Sequence, residues 1–291
     1  MLNIPFPAAA PAPKPGSVAL ALGGGGARGL AHIAVLEAFD ELGVQPAIIA
    51  GTSMGAIIGA AYAAGLSGKE IHAHTQAIVR KRAETMTRLL RARVGRFTDM
   101  LSRGLSNPML IDGEIFLDLF WPEVVPDRFD GLVLPFLAIA TDYASRREVT
   151  LSAGKLTPAV AGSMAIPGLI KPVEHDGMIL IDGGITNPLP HDRLIGTAEF
   201  VVACDVTGGA RDTLQRSPPP IAALIGAVQI MQTTIVDTKL RVQPPDLLVR
   251  PDVSTYRVLD FFKFGHIMRA AEPAKEEVKR SLARLLDARR A

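Results

Sequence analysis

An α/β fold, with a central and largely parallel sheet flanked by helices, is what the sequence predicts. Short apolar runs alternate with segments of helical period, Pro and Gly clusters separate them, and no internal repeat interrupts the alternation. At 291 residues the chain can bury a large core, and no linker is long enough to force a division. We read residues 17–291 as one domain with a helical cap inserted at about 69–130, where the alternation breaks. Residues 1–16 are rich in Pro and Ala and read as a disordered tail. They lack the basic start and apolar stretch of a signal peptide.

Strands are expected near 18–22, 47–50, 133–140, 148–151, 178–181, 200–204 and 246–250. Helices are expected around 28–42, 53–64, 69–101, 113–120, 221–240 and 272–288. In the last of these Val278, Leu282 and Leu285 fall on one face. No uninterrupted apolar run reaches the roughly 18 residues that span a bilayer. The single cysteine, Cys204, excludes an internal disulfide, reads as a buried strand residue and fits a reducing, cytoplasmic compartment.

Net charge is +2, but it is unevenly placed. Arg80–Arg103 carries 8 basic and 2 acidic residues, so +6, which leaves −4 for the remainder. Met86, Leu89, Leu90, Val94, Phe97 and Leu101 recur there at near-helical spacing. Such a helix either packs its apolar stripe on the body or lies against an anionic membrane as a peripheral contact. Nucleic acid is not expected as a partner, since no aromatic interleaving or groove-binding motif accompanies the charge.

Two short stretches carry the chemistry. In "IIAGTSMGAII" the residues Gly51-Thr52-Ser53-Met54-Gly55 form G-x-S-x-G between an apolar strand and an apolar helix. That context makes a nucleophile elbow, with Gly51 and Gly55 permitting the turn and Ser53 as nucleophile. In "ALGGGGARGLAH" four glycines, Gly23 to Gly26, join a strand to a helix. A glycine loop at a helix start presents N–H groups to an oxyanion, as does the Met54 N–H after the serine. The same glycines fit G-x-G-x-x-G, yet a dinucleotide site needs an acidic residue at the tip of the next strand. That strand ends in "AGTSMG", and the dinucleotide reading fails there.

A serine needs a base. His32, His72, His74, His175, His191 and His266 lie in no triad signature and read as surface or packing residues. Asp182, in "MILIDGG", ends a strand before two glycines, while Asp142 and Asp205 end other strands and read as structural. No metal-ligand spacing occurs, and no cofactor is expected.

The ordered triple "GGGGARG", "GTSMG" and "DGG" resembles the patatin-like phospholipase family, in particular its short bacterial members. The resemblance runs from about Val18 to Pro190 and includes "TPAVAGSMAIPGLIKPV". It implies a patatin-like three-layer sandwich and a Ser–Asp dyad without histidine, with Ser53 as nucleophile and Asp182 as its activating acid. It assigns Gly24, Gly25, Gly26 and Arg28 to the oxyanion loop. It implies a lipid acyl-ester substrate, a phospholipid or lysophospholipid. Transfer of the acyl group to another acceptor, or lipid binding without catalysis, remain alternatives. Gly184 stands where many relatives carry alanine. Phe261, Phe262 and Phe264 read either as core or as the wall of an acyl pocket.

Overall fold

Strand β1 (Val18–Leu22) is buried along its whole length, as expected of a central parallel strand covered on both faces. The computed structural model describes residues 13–81, 93–94, 110–208, 217 and 220–288. Most of the Pro/Ala tail and most of Arg80–Arg103 lie outside these residues.

Chain order after β1 is α1 (His32–Leu42), β2 (Ile48–Thr52), α2 (Met54–Ala63), α3 (Gly68–Arg80), β3 (Arg93–Val94), β4 (Leu110–Ile111) and α4 (Gly113–Phe120). There follow β5 (Phe136–Asp142), β6 (Arg147–Leu151), α5 (Leu156–Ser163), β7 (Val173–His175) and β8 (Met178–Asp182). The chain continues through β9 (Phe200–Cys204), α6 (Pro220–Val242), β10 (Leu247–Val249) and α7 (Phe264–Ala288). Strands β10, β9, β1, β2 and β5 run parallel in that spatial order, and β6, β8 and β7 add antiparallel pairings.

Side-chain size alternates along the central strands with period two. Leu20, Leu22, Ile49, Val202 and Cys204 face the layer that holds α1, α2 and α7. Ala19, Ala21, Ala50 and Ala203 face the other side, where Leu189, Leu194 and Val236 of α6 pack. The small face lets the 186–194 segment approach the sheet closely.

Four differences from the sequence reading have local causes. Short helix α5 and strand β7 were not expected, because each is brief and α5 contains Pro158, Gly162 and Ser163. The described part of 69–130 is not wholly helical, since β3 and β4 pair antiparallel within it. The first helix begins as a 3-10 turn over Gly26–Ala31 before α1. Helix α7 starts eight residues before the position that Pro273 suggests. Its buried stripe (Phe264, Ile267, Met268, Ala271, Ala274, Val278, Leu282) continues across the proline, and that packing offsets the lost hydrogen bond.

Docking of α7 on α1 is fixed by charge as well as by that stripe. Lys275 Nζ lies 3.0 Å from Glu37 and 2.8 Å from Glu41, and Lys279 lies 2.9 Å from Glu41. These bonds hold the Glu41 carboxyl down at about 2.

Candidate active site

Strand register explains why Ser53 and Asp182 meet. One edge of β5 is taken by β6 over Ala138–Asp142. Along the opposite edge β2 pairs with Phe136–Ile139, and β8 then pairs with Ala140–Asp142 from the other direction. The two strands therefore end head to head, Thr52 beside Ile139 and Asp182 beside Ala140. The next residue after β2 is Ser53. Its Oγ donates to Asp182 Oδ2 at 2.8 Å, and both residues are buried.

The elbow is strained at its tip. Ser53 sits at φ 54° and ψ −118°, a conformation that costs non-glycine residues about 1–3 kcal/mol. Close packing enforces it. A Cβ on Gly51 would lie 2.4 Å from the Gly55 carbonyl oxygen, and one on Gly55 would lie 2.1 Å from that of Leu22. The Ser53 N–H donates to Ser163 Oγ at 2.9 Å, and that hydroxyl donates to the Ile139 carbonyl at 2.5 Å. Ser163 thus ties the elbow to β5.

Asp182 is held as firmly. Its Oδ1 accepts the Gly184 N–H at 2.7 Å, its N–H donates to Ala165, and its carbonyl accepts the Thr141 hydroxyl at 3.0 Å. Burial raises its carboxyl from 3.8 to about 6, against the opposing bonds from Ser53 and Gly184. The rival acids are engaged elsewhere. Asp142 accepts the Ala144 and Ser145 N–H groups in the β5–β6 turn. Asp205 accepts from Thr207 and from Arg250 Nε at 2.9 Å.

The glycine loop is partly committed to its own architecture. Gly23 donates to the Cys204 carbonyl and Gly24 to that of Pro188 at 2.8 Å, so the Gly24 amide is not free for a ligand in this conformation. Gly24 instead lies against Ser53, whose Cβ is 3.4 Å from the position of a Cβ at Gly24. Among the described residues, no backbone or side-chain acceptor takes the Gly25 or Gly26 N–H. Side chains are excluded at both: a Cβ would lie 2.5 Å from the Val206 carbonyl at Gly25 and 2.4 Å from that of Val258 at Gly26. Gly26 also has φ +56°. Arg28 is buried, and its Nε donates to the Gly25 carbonyl at 3.3 Å, bracing the loop from within the 3-10 turn. Met54 opens α2, where its N–H has no intrahelical acceptor.

No histidine bonds to Ser53 or Asp182 among the described residues. His32 comes nearest in role: its Nε2 lies 2.7 Å from the Gly23 carbonyl, and burial lowers the ring to about 4, so it donates as a neutral imidazole. His191 contacts the Leu189 and Gln243 carbonyls, and His72 contacts Glu37.

Beside Ser53 opens a cavity of about 280 Å³ whose walls are almost wholly apolar. Ile57 and Met54 come from α2, Ile78 and Val79 from α3, Phe116 and Phe120 from α4. Met164 to Ile170 and the Val258–Phe262 stretch close it. The Phe cluster divides: Phe261 and Phe262 line the cavity, whereas Phe264 is buried core. Val258 links the two features, since its carbonyl accepts the Ala27 N–H at 2.7 Å. Sequence reasoning missed Ser163 and Val258, which no local signature marks. It also missed Gln232 of α6, whose amide nitrogen lies 2.4 Å from the position a Cβ would take at Gly184.

The fold and the site together define an α/β protein with a buried serine–aspartate pair at the mouth of an apolar cavity. The chain belongs to the patatin-like phospholipase family, whose family model, "Patatin-like phospholipase", matches residues 20–195. An NTE family protein of Mycobacterium tuberculosis is 35% identical over 200 residues, covering 68% of this chain and 51% of the relative. Patatin-like phospholipase domain-containing protein 7 of Mus musculus is 32% identical over 280 residues, covering 84% of this chain and 19% of that protein. The chain thus spans about half the length of the mycobacterial relative and a fifth of the mouse one. Among solved structures, VipD from Legionella pneumophila aligns with a TM-score of 0.45 and 14% identity, covering 97% of this chain and 68% of that one. No helix among the described residues is long and apolar enough to cross a membrane.

Proposed function

We propose that the chain is a serine acyl hydrolase that cleaves fatty-acyl esters of phospholipids or lysophospholipids. The observation that carries this reading is the 2.8 Å bond from Ser53 Oγ to Asp182 at the mouth of an apolar cavity. The acyl chain occupies the cavity and brings its ester carbonyl to Ser53. Oγ attacks the carbonyl carbon while its proton passes to Asp182, which burial has made more basic than a free carboxylate. The tetrahedral oxyanion is held by the Gly25, Gly26 and Met54 N–H groups. Collapse breaks the ester bond, and the proton on Asp182 goes to the departing alcohol oxygen. A water then gives its proton to Asp182 and attacks the acyl-enzyme carbonyl; the bond from the acyl carbon to Oγ breaks, Asp182 returns the proton to Oγ, and the fatty acid leaves.

Arg80–Arg103, with its +6 charge, fits a peripheral contact with anionic lipid. The one cysteine, Cys204, is free and buried, and it fits the reducing, cytoplasmic setting expected from the sequence. The test is fatty-acid release from defined phospholipid and lysophospholipid by the purified chain. Release that is lost in Ser53→Ala supports the reading. No release from either class, or release that survives the substitution, overturns it.

A further inference from the structure

His32 is a buried side chain to which the dyad gives no task. It opens α1, is wholly buried, and has its Nε2 at 2.7 Å from the Gly23 carbonyl oxygen. A carbonyl oxygen only accepts, so Nε2 carries the proton. Burial holds the ring down at about 4, which leaves it neutral and Nδ1 bare. Among the described residues nothing pairs with Nδ1. A side chain kept only to fill this space has no need of ring nitrogens, and leaving one unpaired is a cost. What the imidazole adds over an apolar side chain is the single Nε2–H bond to Gly23.

That bond acts on a peptide beside the nucleophile. The Gly23 carbonyl and the Gly24 N–H belong to one rigid peptide plane. His32 holds its carbonyl end, and the Pro188 carbonyl accepts its N–H at 2.8 Å. Glycines stand on both sides of the plane, so no side chain resists its rotation. Next along the chain come Gly24, which lies against Ser53, and the Gly25 and Gly26 N–H groups. The Pro188 side is itself tied to the elbow, because the neighbouring Asn187 carbonyl accepts the Thr52 hydroxyl at 2.8 Å. His32 supplies the matching restraint from the helix side. The ring also lies near the other half of the hole: a Cβ at Gly29 would lie 2.5 Å from Met54 Cγ and 3.5 Å from His32 Cδ2.

We infer that His32 is a positioning residue, whose Nε2–H locks the Gly23–Gly24 peptide so that the Gly25 and Gly26 amides meet the oxyanion formed on Ser53. It touches neither the substrate nor the reacting atoms. Nor does it line the cavity beside Ser53, so binding of the acyl chain does not depend on it. The inference rests on the hydrolase reading above and extends it, giving the orientation of the glycine loop to a side chain outside both motifs.

The test compares His32→Gln with His32→Met in the full chain. The two replacements have nearly the same shape, and only Gln offers an N–H to Gly23. Turnover of p-nitrophenyl butyrate gives kcat and KM. A trifluoromethyl ketone of similar length reads the oxyanion itself: Ser53 Oγ adds to its carbonyl carbon, the Oγ proton passes to Asp182, and the carbonyl oxygen becomes the anion. His32→Met is expected to lose about tenfold or more in kcat and a comparable factor in ketone affinity, with KM within about twofold, since misplacing such groups costs up to about 10². His32→Gln is expected to keep about a third or more of native kcat. If either variant fails to fold, the native chain decides. Its His32 Nε2 proton, followed by NMR, is expected to shift as the ketone adduct forms, which a residue that only fills space would not show. Native kcat in a folded His32→Met, a loss carried by KM, no recovery in His32→Gln, or an Nε2 proton unmoved by the ketone would each overturn the inference and leave the hydrolase reading standing. A native chain that neither turns over the ester nor takes up the ketone overturns the hydrolase reading, and the inference with it.

Discussion

Replacing Asp182 by Asn tests the energetics of the site and its chemistry together. The carboxyl stands at about 6 in the folded chain against an ordinary value of 3.8, and burial is the chief cause. A tenfold change in proton affinity is worth about 1.4 kcal/mol, so the rise corresponds to roughly 3 kcal/mol. The sign follows from proton binding. Between pH 3.8 and about 6 the folded state holds a proton that the unfolded state has released, so stability falls as pH rises across that window. At neutral pH the charged carboxylate costs the fold up to about 3 kcal/mol. Asparagine keeps the shape and carries no charge: its oxygen can accept the Gly184 N–H, and its amide can donate to Ser53 Oγ. Asp182→Asn is therefore expected to be at least as stable as the native chain at pH 7.5, and to lose the decline in stability between pH 4 and 6. Its ester hydrolysis is expected to fall by about 10² to 10⁴, the usual contribution of a general base. Urea denaturation across this pH range and turnover of a soluble p-nitrophenyl ester measure the two effects. A variant less stable at neutral pH by more than about 1 kcal/mol, or one that retains native turnover, would refute the reasoning.

Further expectations concern residues around the dyad and in the body. Ser163→Ala leaves the Ser53 N–H without its acceptor, and kcat for a soluble ester is expected to fall about tenfold or more, with KM little changed. Restoration by Ser163→Thr, which keeps the hydroxyl, would separate positioning from general damage. Leu169→Trp fills the cavity wall. Shutting out two methylenes at about 0.8 kcal/mol each should lower kcat/KM for long-chain relative to short-chain esters by about tenfold. Lys275→Met leaves the buried Glu37 with His72 as its remaining partner, and thermal or urea unfolding should show a loss of about 1–3 kcal/mol.

How much of this was legible in the sequence depended on how local each feature is. The elbow could be read because strand, turn and helix are contiguous, and its glycines are dictated by backbone atoms a few residues away. Pairing Ser53 with Asp182 needed the family resemblance, because 129 residues separate them and only the shared edge of β5 brings them together. The four glycines could be recognised as a loop that others approach, but their division of labour could not. Gly24 gives its amide to Pro188, and Gly26 is pressed by Val258 from a segment with no motif of its own. Ser163 was invisible because it lies in a short helix whose Pro, Gly and Ser content looks like loop. The unexpected length of α7 shows tertiary packing overriding a local proline.

The central claim is that Ser53 is a nucleophile activated by Asp182. Labelling the native chain with a fluorophosphonate, and mapping the modified peptide while the labelling rate is followed against pH, tests it most directly. The account predicts one adduct on Ser53, formed at a rate that rises as pH passes through about 6 and falls sharply in Asp182→Asn. An adduct on another residue, or labelling of Ser53 at an undiminished rate in Asp182→Asn, would contradict it.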